Sequence, residues 1–247
     1  MIPYAHPADR ARALYRIPTA PQRNRTLEIC HAREPLLRDF AWPGGGHRSC
    51  VIGSAAQAGM SCPDAAKGLT LASLCDPVPF PQRSFDLVIL HCTLDDLAAS
   101  PLSPNASFDA LAFLKKVVAV LVPGGLVAGC VDNRYDSKFF LHGLAQRWRG
   151  QGNRHAKAGL SLAKLRSLLD DAQLTDIRLF SLLPGCDSPL RLVDSDPRIS
   201  RLAFRHELEA RREYLSTPSY LARRAVIELG LSRHLESAIF FWGYRAC

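Results

Sequence analysis

Phe85, Asp86, Leu87, Val88, Ile89 and Leu90 form a nearly continuous apolar run. A strand with one wet face alternates apolar and polar residues. A run without alternation is a strand covered on both faces. Covering both faces takes helices above and below a sheet, so the expectation is a layered α/β protein. The chain can supply such a core: it has 247 residues, 47% of them hydrophobic, enough for one large domain or two small ones. Charged residues are 22%, the share of a globular protein rather than of a disordered tail. No stretch of 18 uncharged apolar residues is present, so no membrane-spanning helix is expected. The opening MIPYAHPADRARALYR has no apolar run like a signal peptide.

Other strand candidates are residues 26–30, 49–53, 69–74, 126–131, 177–183 and 238–245. Helices are expected over 8–15 and 35–40, from Ser107 with Leu111, Leu114, Val118 and Leu121 on one face, and from Ser161 with Leu162, Leu165 and Leu169 on one face. Pro123, Gly124 and Gly125 stop the first of these capped helices. Two more helices, near 200–214 and 218–229, lie between the last two strands, the second with Thr217 at its cap, Pro218 in its first turn and Gly230 at its stop. Alternating strands and helices make a doubly wound, mostly parallel sheet. The organisation reads as an N-terminal helix and loop (1–25), an α/β core (26–183), a helical insertion (184–236) and a final strand (237–247).

Cysteines stand at 30, 50, 62, 75, 92, 130, 186 and 247, with no CxxC pair among them. Five lie in or beside strand-like runs. Reduced, mostly buried thiols in a cytoplasmic protein are the expectation, and unpaired spacing gives zinc weak support.

Ligands of doubly wound sheets bind at the carboxyl ends of the strands, where strand order reverses. That selects His31 to Glu34, Ser54 to Ala56, Asp76 and Pro77, His91 to Asp96, and Asp132 to Tyr135. Gly44 to Gly46 do not make a phosphate loop, because they precede a strand and no Gly-Lys-Ser/Thr follows. No GxGxxG follows the first strand either, which leaves a nicotinamide-dependent dehydrogenase without support.

Residues 76–88, DPVPFPQRSFDLV, then His91, Leu94 and the helix ending LVPGGL at 121–126, together resemble the second half of a class I S-adenosylmethionine-dependent methyltransferase of the type 11-like group. The resemblance covers about 70–131 well, and 155–183 fits the next helix and strand. It implies a seven-stranded sheet with an antiparallel last strand, and S-adenosylmethionine as cofactor. By the same resemblance Asp76, beside Pro77, accepts from the adenine amino group, and His91 and Cys92 line the methionine end with Leu94. The first strand would contribute Ile29, Cys30 and His31, and the second Ser54.

Two family features are changed. The turn after the first strand, at 30–35, has no glycine, although glycines there let the backbone approach a cofactor closely. Ser54 stands where an acid usually grips the ribose. An alternative register places the glycine-rich turn at 51–59, but recovers only Gly53 and Gly59. Each candidate also has an ordinary reading. Asp76 caps turns well, His91 can be a satisfied buried histidine rather than a catalytic base, and Cys92 can be a small buried thiol. Asp132 and Asn133 suit a turn better than a metal site.

The formal charge is +8, and residues 134–166 hold eight Lys or Arg against one acid, Asp136. No RNA-binding motif accompanies them, so a solvated loop is the simpler reading. Two functions follow. The first is methyl transfer to a small or conjugated metabolite in a biosynthetic route. The second is a non-catalytic, pseudoenzyme subunit that docks on a partner biosynthetic protein through the insertion, whose helices set Phe204, Leu208, Leu221 and Ile227 beside many arginines.

Overall fold

The apolar run at 85–90 is a strand in the computed structural model, and both of its faces are covered. The structure describes residues 15, 25–31, 46–52, 69–72, 78–99, 108–133, 160–183, 191–210, 212–232 and 238–247. Eight strands form one sheet: β1 (Arg25–His31), β2 (Gly46–Ile52), β3 (Leu69–Ala72), β4 (Phe85–His91), β5 (Leu121–Asp132), β6 (Leu174–Leu183), β7 (Arg191–Asp194) and β8 (Ala238–Arg245). Their order is β3-β2-β1-β4-β5-β8-β6-β7. β3, β2, β1, β4 and β5 are mutually parallel, and β8 runs antiparallel between β5 and β6. The seven strands of the expected core are therefore present, with the last one reversed. β7 adds an eighth at the edge, antiparallel to β6. The insertion was expected to be helical only. Its strand is four residues, Leu192 and Val193 between two charges, too short to show a period of two.

Successive side chains of a strand point to opposite faces. Val88 and Leu90 therefore enter a large core with α1 (Thr93–Ala99), α2 (Ala110–Val120) and α3 (Leu162–Asp171). Leu87 and Ile89 enter a smaller one with Tyr15, Leu126, Ala128, Cys130 and Phe240. Phe240 and Phe241 alternate in the same way and are both fully buried, each burial worth roughly 2–3 kcal/mol. Of the helix expected over 8–15 only Tyr15 is described, and the one over 35–40 lies outside the described residues. α1 is not among the helices expected from the sequence. It follows β4 after one residue, with no separate cap-and-stop pattern to mark it.

α2 begins at Asp109 rather than at Ser107, which lies outside the described residues. The Asp109 carboxylate accepts from the Leu111 and Ala112 amides, both at 3.0 Å. Two otherwise orphaned donors are satisfied at the positive end of the helix. Asp109→Ala is expected to cost about 1 kcal/mol, read as a lower urea midpoint at unchanged slope. At the other end α2 passes straight into β5. Gly124 takes φ +70°, and the turn at 122–125 bulges out so that Leu87 pairs Leu126. The Arg245 guanidinium donates to the carbonyls of Val118, Ala119 and Leu121, covering the carboxyl end of α2.

Ser161 caps α3 as expected, accepting from the Lys164 amide. The insertion carries α4 (Pro197–Ala210), a 3-10 turn (Arg212–Tyr214) and α5 (Thr217–Glu228). Ser216, not Thr217, is the cap residue of α5, and Gly230 stops it at φ +70°. Phe204, Leu208, Tyr220 and Ile227 make a small core of their own, and Arg205 holds Glu228 through both carboxylate oxygens.

Candidate functional site

The strand order fixes where a ligand cleft can open. From β1 the chain winds outward through β2 to β3, then returns to place β4 on the other side of β1. The reversal lies between β1 and β4, so their carboxyl ends, His31 and His91, flank the switch point. Asp132 and Asn133 end β5 on the same edge.

Local geometry ties these ends together. Thr93, the first residue of α1, donates from Oγ1 to the Ile29 carbonyl at 2.6 Å, a link across the switch point. Cys92 takes φ +56°, a left-handed conformation uncommon for a residue with a side chain. Its amide donates to the Cys130 carbonyl at 3.0 Å, which extends the β4–β5 ladder by one bond. His91 sits opposite Cys130 in that ladder.

The candidate residues divide by burial. Ile29, Cys30 and Leu94 are inside, with Ile29 and Leu94 in the large core, so a ligand at the edge would meet their backbone more than their side chains. His31 is half-buried at the end of β1. His91 is 8% exposed, and its Nδ1 lies 2.9 Å from Tyr15 Oη and 3.2 Å from Cys130 Sγ. That nitrogen faces the smaller core rather than a cleft. Cys92 joins the same group, its Sγ 3.7 Å from Cys130 Sγ. Ser54, Asp76 and Pro77 lie outside the described residues.

Asp95 is the group singled out by the structure alone. It stands in the first turn of α1 and accepts from the Asp132 amide through Oδ2 at 2.6 Å. Its Oδ1 is buried and accepts no hydrogen bond. Burial pushes this carboxyl up to about 8, helped by the nearby Asp132, Cys92 and Asp96 and opposed by the Asp132 amide. A carboxyl near neutrality at the ligand edge is the setting of an acid–base group. The sequence signal was its place in the 91–96 stretch after β4; its burial could not be read there. Tyr15 is the second residue that sequence reading missed. It lies far upstream, in a segment with no strong periodicity, yet it is fully buried against His91 and Phe240.

A groove of about 580 Å³ lies at the opposite end of the strands, lined in part by Arg83, Lys115, Pro123, Gln173 and Arg245. It is remote from the switch point, and the Arg245 in its wall is held by the α2 carbonyls. Among the described residues no helix is long and apolar enough to cross a membrane.

Comparison with known proteins agrees with the topology. No protein-family model matches the chain, and no curated protein sequence is significantly similar to it. Solved structures are similar in fold. A SAM-dependent methyltransferase from Thermotoga maritima aligns over 97% of this chain and 89% of its own, at TM-score 0.52 and 13% identity. Phosphoethanolamine N-methyltransferase 2 from Haemonchus contortus, in complex with S-adenosyl-L-methionine, aligns over 97% of this chain at TM-score 0.53 and 16% identity. This chain spans only 53% of that enzyme's length. A geranyl diphosphate methyltransferase in complex with SAM aligns over 97% of this chain and 85% of its own, at TM-score 0.50 and 14% identity. With the strand order above, these place the chain in the class I methyltransferase fold.

Proposed function

We propose that the protein binds S-adenosylmethionine at the carboxyl ends of β1 and β4 and transfers its methyl group to a small or conjugated metabolite. The observation that carries this is the switch point between those two strands, closed by the Thr93 to Ile29 bond. Ile29, Cys30 and His31 would present backbone to the cofactor, Cys92 and Leu94 would back its methionine end, and Ser54, Asp76 and Pro77 would complete the pocket. When bound, the cofactor supplies an activated methyl on a sulfonium, so the protein needs chiefly to align the acceptor and take its proton. Asp95 suits that last task better than His91. Its Oδ1 accepts no hydrogen bond and its proton affinity lies near neutrality, whereas His91 Nδ1 is turned toward Tyr15 and Cys130.

The test is calorimetric titration with S-adenosylmethionine and S-adenosylhomocysteine. Micromolar binding is expected. No heat at millimolar ligand would overturn the reading and favour the second one, a non-catalytic module that docks on a partner protein. A specific observation supports that alternative. Ile199, Leu202, Tyr214, Leu221, Leu229 and Leu231, the exposed large hydrophobic residues among those described, all lie on the insertion.

A further inference from the structure

His91, Cys92 and Cys130 place three donor atoms around one buried point, with Tyr15 Oη beside two of them, and we propose that this point is a tetrahedral metal site for a divalent cation of the zinc class. It does not rest on the methyl-transfer reading.

Two features of the backbone assemble the group. His91 and Cys130 are partners in the β4–β5 register, with side chains on the same face. Cys92 follows His91 and would point to the opposite face if the strand continued. Its φ of +56° breaks the alternation and brings its sulfur to the side of the other two. A side-chain-bearing residue in this conformation is strained. Such strain persists where the surroundings enforce it, and it concentrates at functional sites.

The distances suit a metal. Zinc bonds of about 2.3 Å to sulfur and 2.0 Å to nitrogen, at the tetrahedral angle, separate two sulfurs by about 3.8 Å and sulfur from nitrogen by about 3.5 Å. The Cys92 and Cys130 sulfurs are 3.7 Å apart, and Cys130 Sγ is 3.2 Å from His91 Nδ1. All three His and Cys donor atoms lie within 4.8 Å of one another. Tyr15 Oη, 2.9 Å from His91 Nδ1 and 3.7 Å from Cys130 Sγ, is the candidate for the fourth position.

Charge favours the same ligand. Binding would displace one proton from each thiol, and two thiolates neutralise a divalent cation. Two thiolates, a neutral imidazole and a divalent cation together would then carry no net charge. That matters here, because the group lies against Leu87, Ile89, Leu126, Ala128 and Phe240, and an unbalanced charge among them would be costly. Two sulfurs and a nitrogen select zinc-like ions over magnesium or calcium, which take oxygen.

The experiment uses full-length protein, reduced and treated with chelator, titrated with Co²⁺ alone and then with Zn²⁺. The expected result is one equivalent of cobalt with the intense visible bands of a tetrahedral ion and a sulfur-to-cobalt charge-transfer band, both erased by zinc. Cys92→Ser and Cys130→Ser should abolish the signal, whereas Cys50→Ser, buried on β2 outside the cluster, should keep it. Tyr15→Phe retains the ring that packs on Phe240 and should weaken cobalt binding by roughly tenfold or more. The wild-type spectrum decides even if a cysteine variant fails to fold. Absence of the charge-transfer band overturns the proposal. So does a signal kept by the Cys92→Ser, Cys130→Ser double variant, or a protein that binds no cobalt when reduced and loses two titratable thiols on oxidation, which would mark a disulfide pair instead.

Discussion

Gly129→Val is expected to abolish folding, and Gly129→Ala to cost about 3 kcal/mol. Gly129 lies in the middle of β5, opposite Leu90 of β4 on one side and Phe241 of β8 on the other. A Cβ at this position would meet the Leu90 carbonyl oxygen at 2.7 Å and the Phe241 ring at 2.6 and 2.8 Å. The carbonyl is backbone in a parallel ladder and gives way only if β4 moves. The ring is fully buried, and close-packed interiors leave little room for a ring to swing. Valine adds two methyl groups to the same space, a penalty on the scale of a domain's whole stability. Urea unfolding of the alanine variant and soluble yield of the valine variant would show it. Phe241→Leu in the Gly129→Ala background should recover part of the loss, because it removes the ring clash and leaves the carbonyl clash. An alanine variant as stable as wild type would mean that β4 and β5 are not packed at this separation.

Much of that sheet was legible in the sequence. The Phe85 to Leu90 run has no polar face, which requires cover on both sides, and the PGG run at 123–125 signals the change from helix to strand, which falls slightly earlier, at Val120 and Leu121. The reversed last strand came from the family resemblance, not from pattern. Short or abutting elements were not legible. β7 has two apolar residues, and α1 begins one residue after a strand, so neither repeats often enough to show a period. Helix starts were read too early or too late where several capping residues compete, as Ser107 and Asp109 do before α2, and Ser216 and Thr217 before α5.

The site was legible to a smaller degree, for a physical reason. Sequence can say which residues follow each strand, and His91 to Asp96 do follow β4. It cannot say which way a side chain turns there. His91 could be read as a base at the strand end or as a satisfied buried histidine, and its Nδ1 meets Tyr15 and Cys130. That pairing depends on a tyrosine 76 positions upstream, which no local pattern shows. The His–Cys–Cys group was hidden for the same reason. Its ligands come from two strands and a left-handed residue, not from paired CxxC spacing.

Asp95 yields the second large effect, a stability that falls as pH rises. Its carboxyl is pushed from 3.8 to about 8 in the fold, mainly by burial. Between those values the folded chain holds a proton that the unfolded chain has released. Stability therefore decreases across that window, since it rises with pH only where the unfolded state binds more protons. The contribution is complete below about pH 4 and lost as pH climbs through about 8. The charges that act on this group are Asp132 at the end of β5, and Cys92 and Asp96 on either side of it in the chain; all three raise it. Asparagine keeps an oxygen for the Asp132 amide and cannot ionise. Asp95→Asn should thus flatten the dependence and stabilise the metal-free protein by on the order of 3–4 kcal/mol at pH 8 relative to pH 5. The measurement is urea unfolding of chelator-treated wild type and variant at both pH values. If the two lose stability in parallel, the slope belongs to other groups and Asp95 is ionised in the fold. If only wild type loses it, the carboxyl holds its proton at neutral pH and gives it up as pH climbs through about 8.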